Sequence, residues 1–160
     1  MKKKIISILA VAAICAVFTG CGNSSESSTP AQSSTAEVSF ESKTAALMDA
    51  VAHPEMVSVK TDTVNDRFGI EEADVVELSA YICGSGAMPD EFGIFRAADA
   101  DAAKRIEEAL NKRIERQRKT FQDYTPAEMY KFDDCFVETN GNVVIYAICA
   151  DNSKAKELLK

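Results

Sequence analysis

Between residues 74 and 83 apolar and polar side chains alternate, with Val76, Leu78, Ala80 and Ile82 on one face and Val75, Glu77, Ser79, Tyr81 and Cys83 on the other. A period of two marks a strand with one face in the core, so the first set is expected to point inward. Gly84-Ser85-Gly86 breaks the run, Met88-Pro89-Asp90 continues the loop, and residues 91–97 form a second strand with Phe92 and Ile94 on the core face. Asp99 is placed to N-cap the next segment. There Ile106, Leu110, Ile114, Gln117 and Phe121 recur by threes and fours, which predicts a helix over 100–123.

The flanking patterns are shorter. Leu47, Met48 and Val51 have helical spacing, and His53-Pro54 stops a helix over 41–52. Residues 54–73 are mixed, with Asn65-Asp66-Arg67-Phe68-Gly69 forming one helical turn closed by glycine. Thr125-Pro126-Ala127-Glu128 has the form of a capping box and restarts a short helix through Tyr130. Residues 132–139 and 142–149 flank Asn140-Gly141, a two-residue hairpin signal, and Asp151 can cap a last helix to Leu159. Hairpins with local helices imply an α+β fold: an antiparallel sheet of about four strands, in two hairpins, with the long helix and the terminal helices packed on one face.

The first twenty residues differ from all of this. Lys2, Lys3 and Lys4 precede an apolar run over 5–18 that spans about 21 Å as a helix, short of the ~30 Å hydrocarbon core. The run therefore has the form of a signal peptide rather than a permanent span. Phe18-Thr19-Gly20-Cys21 resembles the lipobox of bacterial lipoproteins, and that resemblance implies a diacylglyceryl group on Cys21, which becomes the mature N-terminus. Stable anchoring requires two hydrophobic signals, and the two acyl chains supply them. Residues 21–38, rich in Ser and Thr without hydrophobic period, are expected to be a tether, leaving 39–160 as the one folded domain.

Charge narrows the function. The net charge is −7, and loss of the three N-terminal lysines takes the mature chain to −10. Such a chain repels a phosphate backbone, so nucleic acid is not an expected partner. A single histidine excludes multi-histidine metal sites, and His53 at a helix end is expected to act as a terminal charge. Glu71, Glu72 and Asp74 lack the spacing of a calcium loop, and Gly84-Ser85-Gly86 lacks the lysine of a phosphate loop. Neither a metal nor a cofactor is expected. Asp90 and Glu91 are adjacent in a strand and point to opposite faces, which does not suit a glycosidase pair. With the turn at Asn140-Gly141, Cys135 and Cys149 lie on opposite faces and do not bridge; Cys83, Cys135 and Cys149 are expected as structural thiols.

The stretch from Leu47 onward resembles a Gram-positive lipoprotein family known as domain of unknown function 4358. Gly86-Ala87-Met88-Pro89-Asp90-Glu91 leading into the second strand, the helical segment over 113–121, Tyr124-Thr125-Pro126 and Gly141-Asn142-Val143-Val144 carry the resemblance. It implies a secreted, lipid-anchored domain, in some cases encoded near machinery that acylates cell-surface polymers, and supplies no catalytic residues. The expectation is a non-catalytic binding or assembly module on the outer face of the membrane. The alternatives are an accessory component or enzyme of surface-polymer modification, and a small solute-binding lipoprotein. Within this acidic chain residues 104–119 are net basic, and Lys112, Arg113, Arg116 and Lys119 at three- and four-residue steps are expected to form a surface for an envelope protein or an anionic wall polymer.

Overall fold

The structure, a computed structural model, describes residues 38–160. The signal peptide, Cys21 and nearly all of the expected tether lie outside the described residues. Ser39 caps the first helix, its hydroxyl accepting from the Ser42 N–H at 3.2 Å, and α1 covers Phe40–Ala50. After it come β1 (Met56–Val59), α2 (Val64–Phe68), β2 (Val75–Cys83) and β3 (Glu91–Ala97). The long helix α3 (Ala100–Tyr124) leads into a 3-10 segment, Pro126–Phe132, then β4 (Phe136–Asn140), β5 (Val143–Ile148) and α4 (Asn152–Leu159). The five strands form one sheet in the order β1-β2-β3-β5-β4, every neighbouring pair antiparallel. The fold is α+β, as the patterning implied.

Two of its features correct the sequence-based picture. Helices cover both faces of the sheet, not one. Ile106 and Leu110 of α3, with Phe68 of α2, pack on Phe95, Val144 and Tyr146. Leu47 of α1 and Ala155 and Leu159 of α4 pack on Phe92, Ile94, Ile145 and Ala147 from the other side. The central strand β3 is buried at all but one of its seven positions, which is what a strand between two layers requires. The sheet also has a fifth strand. β1 is a four-residue edge strand within the region that showed no period, too short for its alternation to stand out.

Register accounts for two further corrections. The β2–β3 pairing shifts between Val75 and Glu77, and this bulge turns Val76 out to solvent at 66% exposure while Val75 joins the core with Leu78 and Ala80. In the β4–β5 hairpin Asn140 pairs with Val143, so the turn residues are Gly141 and Asn142, one place later than expected. Gly141 takes φ +59, the conformation that a glycine adopts without strain.

The caps divide. Asp99 and Asp151 accept from the N–H groups of Ala102 and Lys154, at 2.7 and 2.8 Å. Thr125 makes no side-chain cap, and Glu128 bonds Lys131 at 2.6 Å instead of closing a capping box. His53 donates from Nδ1 to the carbonyl of Pro54 at 2.6 Å, beyond the end of α1. No helix among the described residues is long and apolar enough to cross a membrane.

Candidate functional site

The sheet has two unlike ends. At one, Glu77, Arg96, Val143 and Asn140 form a cross-strand row. Val38, the first described residue, lies there and lines a cavity of about 760 Å³ together with Phe40, Lys43, Leu159 and Lys160. Most of its rim charges are paired: Arg96 bonds Glu77 at 2.9 Å, Lys160 bonds Glu138 at 3.2 Å, and Lys156 also reaches Glu138, while Lys43 donates to the Lys160 carbonyl.

The other end carries the row Ile82–Glu91–Ile148 and the loop over residues 84–90. A cleft of about 380 Å³ opens here between the sheet and the second half of α3. Val57 and Ile82 line its sheet side, Arg113, Gln117, Thr120 and Phe121 its helix side, and Arg67 and Met88 also border it.

Asp90 and Glu91 sit at the start of β3, each only 1% exposed. Their side chains serve different elements. Arg113 donates Nε to both Glu91 oxygens, at 2.8 and 2.9 Å, and Nη2 to Oε2 at 2.6 Å, while Gln117 adds a bond at 3.3 Å. The guanidinium lies over the Phe68 ring, 4.9 Å from its centre, and also bonds the Arg67 carbonyl. Asp90 Oδ2 accepts from Lys131 Nζ at 2.6 Å, and the same ammonium bonds Glu128. The Lys131 carbonyl in turn accepts from Asn152, joining the 3-10 segment to α4. Burial pushes both carboxyls above their ordinary values, against the opposing pull of their cations. The last loop residue and the first residue of β3 thus clamp the 3-10 segment and α3 onto the sheet, and the two acids do not converge on a common point.

Cys83 lies where β2 meets the loop. Burial alone would raise its pKa, but the Ser85 hydroxyl at 3.4 Å and the N–H groups of Met88, Ser85 and Gly86 outweigh that and hold it below the usual thiol value. Cys83, Cys135 and Cys149 are all free. Glu71, Glu72 and Asp74 do not gather: Asp74 pairs with Arg105 at 2.6 Å and Glu71 accepts from Asn65. Among the described residues no group of three or more His, Cys, Asp or Glu side chains is placed to hold a metal.

The expected basic surface is divided. Lys112, Arg116 and Lys119 are exposed, with Glu108 3.8 Å from Lys112, but Arg113 is turned under the helix and only 16% exposed. Arg113 therefore belongs to the clamp and not to a solvent-facing stripe. The signal was present in its spacing, since residue 113 adjoins the apolar stripe through Leu110, Ile114 and Gln117. Sequence reasoning missed Arg67, Val57 and Lys131. Arg67 is exposed and makes no ion pair among the described residues.

The fold and the cleft define a small antiparallel α+β domain whose buried charges serve its architecture. The family profile described as a domain of unknown function (DUF4358) matches residues 49–149, and the chain belongs to that family. No curated protein and no solved structure matches the chain.

Proposed function

We propose that this chain is a lipid-anchored module of the bacterial cell envelope that binds or assembles with a partner on the outer face of the membrane and does not transform it. The observation that carries the non-catalytic part is the commitment of both buried acids at the cleft: Glu91 is saturated by Arg113 and Gln117, and Asp90 is tied to Lys131. General acid–base chemistry requires a group within reach of a bound substrate; both Glu91 oxygens are bonded, and the one unbonded Asp90 oxygen, Oδ1, is shut away from the surface. The anchoring part is supported by the N-terminal sequence, with its three lysines, apolar run and Cys21. Intact-mass measurement of the chain from its native host should find an acylated Cys21 N-terminus, and Cys21→Ala should release the protein into the medium. Water-soluble, unlipidated wild-type chain would refute the anchor. An anionic wall polymer is a second partner class, supported by exposed Lys112, Arg116 and Lys119 on α3. Reversing these three to Glu should abolish retention on purified wall polymer at low salt.

A further inference from the structure

We propose that the cleft between β1, β2 and the second half of α3 receives an extended peptide segment of another envelope protein, one that carries an apolar side chain beside a carboxylate. This inference rests on the binding-module function proposed above and names the ligand class of that module's site.

The peptide class follows from the edge of the sheet. β1 is the first strand in the sheet order and, among the described residues, has a neighbour on one side only. An edge strand presents a row of main-chain donors and acceptors that an added strand satisfies, and peptide recognition by strand addition uses such a row for affinity and an adjoining pocket for specificity. Both are present together, because Val57 of β1 lines the cleft as well. The opposite edge, β4, is guarded: Glu138 is bonded by Lys156 and Lys160, and Thr139 donates to Glu107 at 2.7 Å. Among the described residues no ion pair covers β1 in this way.

The apolar side chain follows from the lining. Val57 is 42% exposed and Met88 40% exposed, two of the few large hydrophobic residues left open to solvent, and both border this cleft above buried Phe121. Its volume, about 380 Å³, lies within the ~300–1,000 Å³ range of ligand sites.

The carboxylate follows from charge complementarity. The acids that line the cleft, Asp90 and Glu91, are both engaged from behind, Glu91 by Arg113 and Asp90 by buried Lys131, which Glu128 shares. Arg67 lines the same cleft and is exposed without an ion pair among the described residues, so it is the lining cation left open to an incoming anion. A guanidinium in a partly enclosed site is a geometric match for a carboxylate.

The test uses the full-length chain in detergent micelles and two fluorescent nonapeptide libraries. Both carry a central Leu, Ile, Val or Phe; one places Asp or Glu beside it, the other Lys or Arg. Fluorescence anisotropy should show binding of the acidic library alone, weakening as salt rises from about 0.1 to 1 M. Amide hydrogen exchange should slow at β1 when the acidic library is present. Arg67→Glu should weaken acidic-library binding at least tenfold, and Val57→Asp should do the same, with thermal melting confirming that both variants fold. Binding of the acidic library that is indifferent to Arg67→Glu, or protection at β4 in place of β1, overturns the proposal while leaving a binding module intact. Absence of library binding also overturns it. Only the further failure of whole-cell cross-linking to capture any partner would count against the binding module itself.

Discussion

Glu91 and Arg113, 22 residues apart in sequence, are joined through three hydrogen bonds of 2.6–2.9 Å beneath the middle of α3. A buried ion pair contributes less to net stability than its geometry suggests, because both groups lose their water. Removal of one partner is another matter. Arg113→Met leaves a carboxylate that is 1% exposed without its cation, and should cost about 3–5 kcal/mol in urea unfolding. Arg113→Met combined with Glu91→Leu should recover much of that loss. A double variant no more stable than the single one would mean that the pair does not act as a unit.

Asp74 and Arg105 give the domain an acid-sensitive contact. Arg105 donates to both Asp74 oxygens, at 2.9 and 2.6 Å, and this bonding holds the carboxyl below its ordinary 3.8. The unfolded chain takes up that proton more readily, so the stabilisation is complete above 3.8 and lost as pH falls through the folded value. Because the Arg105 side chain is 55% exposed, the effect is discounted for screening to about 1 kcal/mol. Asp74→Asn should cost that much at neutral pH, and the gap from wild type should close on acid titration followed by circular dichroism.

Two glycines are required for different reasons. A Cβ at Gly93 would lie 2.6 Å from the Ala80 Cβ on the neighbouring strand, inside any real contact distance. Gly93→Ala should therefore destabilise by about 1–3 kcal/mol through strand displacement. Gly141 meets no neighbour, and its constraint is its φ of +59. Gly141→Val should cost about 1–3 kcal/mol through backbone strain alone. Thermal melts of the two variants check both values, and an unchanged melt for Gly141→Val would place the turn elsewhere.

The thiols should separate by reactivity. Burial pushes Cys149 up to about 11, whereas the loop amides and Ser85 hold Cys83 below the usual value. Alkylation of the native chain in mildly alkaline buffer should label Cys83 before Cys149, since the thiolate is the reacting form. Ser85→Ala should slow the Cys83 reaction. Equal rates for the two thiols would contradict this ordering.

Much of this architecture was legible in the sequence, because strands and helices long enough to show a period announce themselves. The nine residues of β2 and the long stripe of α3 are of that kind. β1 was not, because four residues hold too few repeats to separate a strand from a loop. Val76 was misplaced because a bulge adds one residue without leaving a compositional trace. The second helical layer was readable in principle from the apolar residues on both faces of β3, yet charged Glu91 and Arg96 at its ends make it resemble a half-exposed strand. The same two residue types concealed the site. Asp90 and Glu91 look like surface acids and Arg113 like a surface base until the fold brings them together, and a pairing across 22 residues leaves no local pattern. The cleft is lined from β1, β2, the loop over 84–90, α2 and α3, elements brought together by packing alone.

The placement of α1 has a mechanical consequence. The described chain begins at Val38, and α1 is the first element behind it, lying on the face of the sheet away from α3 and fastened there by Leu47 and by the Thr44–Ser79 bond of 2.7 Å. Tension applied from the N-terminal side would load this helix first and strip it from one end. The cleft, on the opposite face and about 17 Å farther along the strands, would feel that load only after α1 had yielded. Under such a pull the first helix would serve as a mechanical fuse, yielding before the cleft was disturbed.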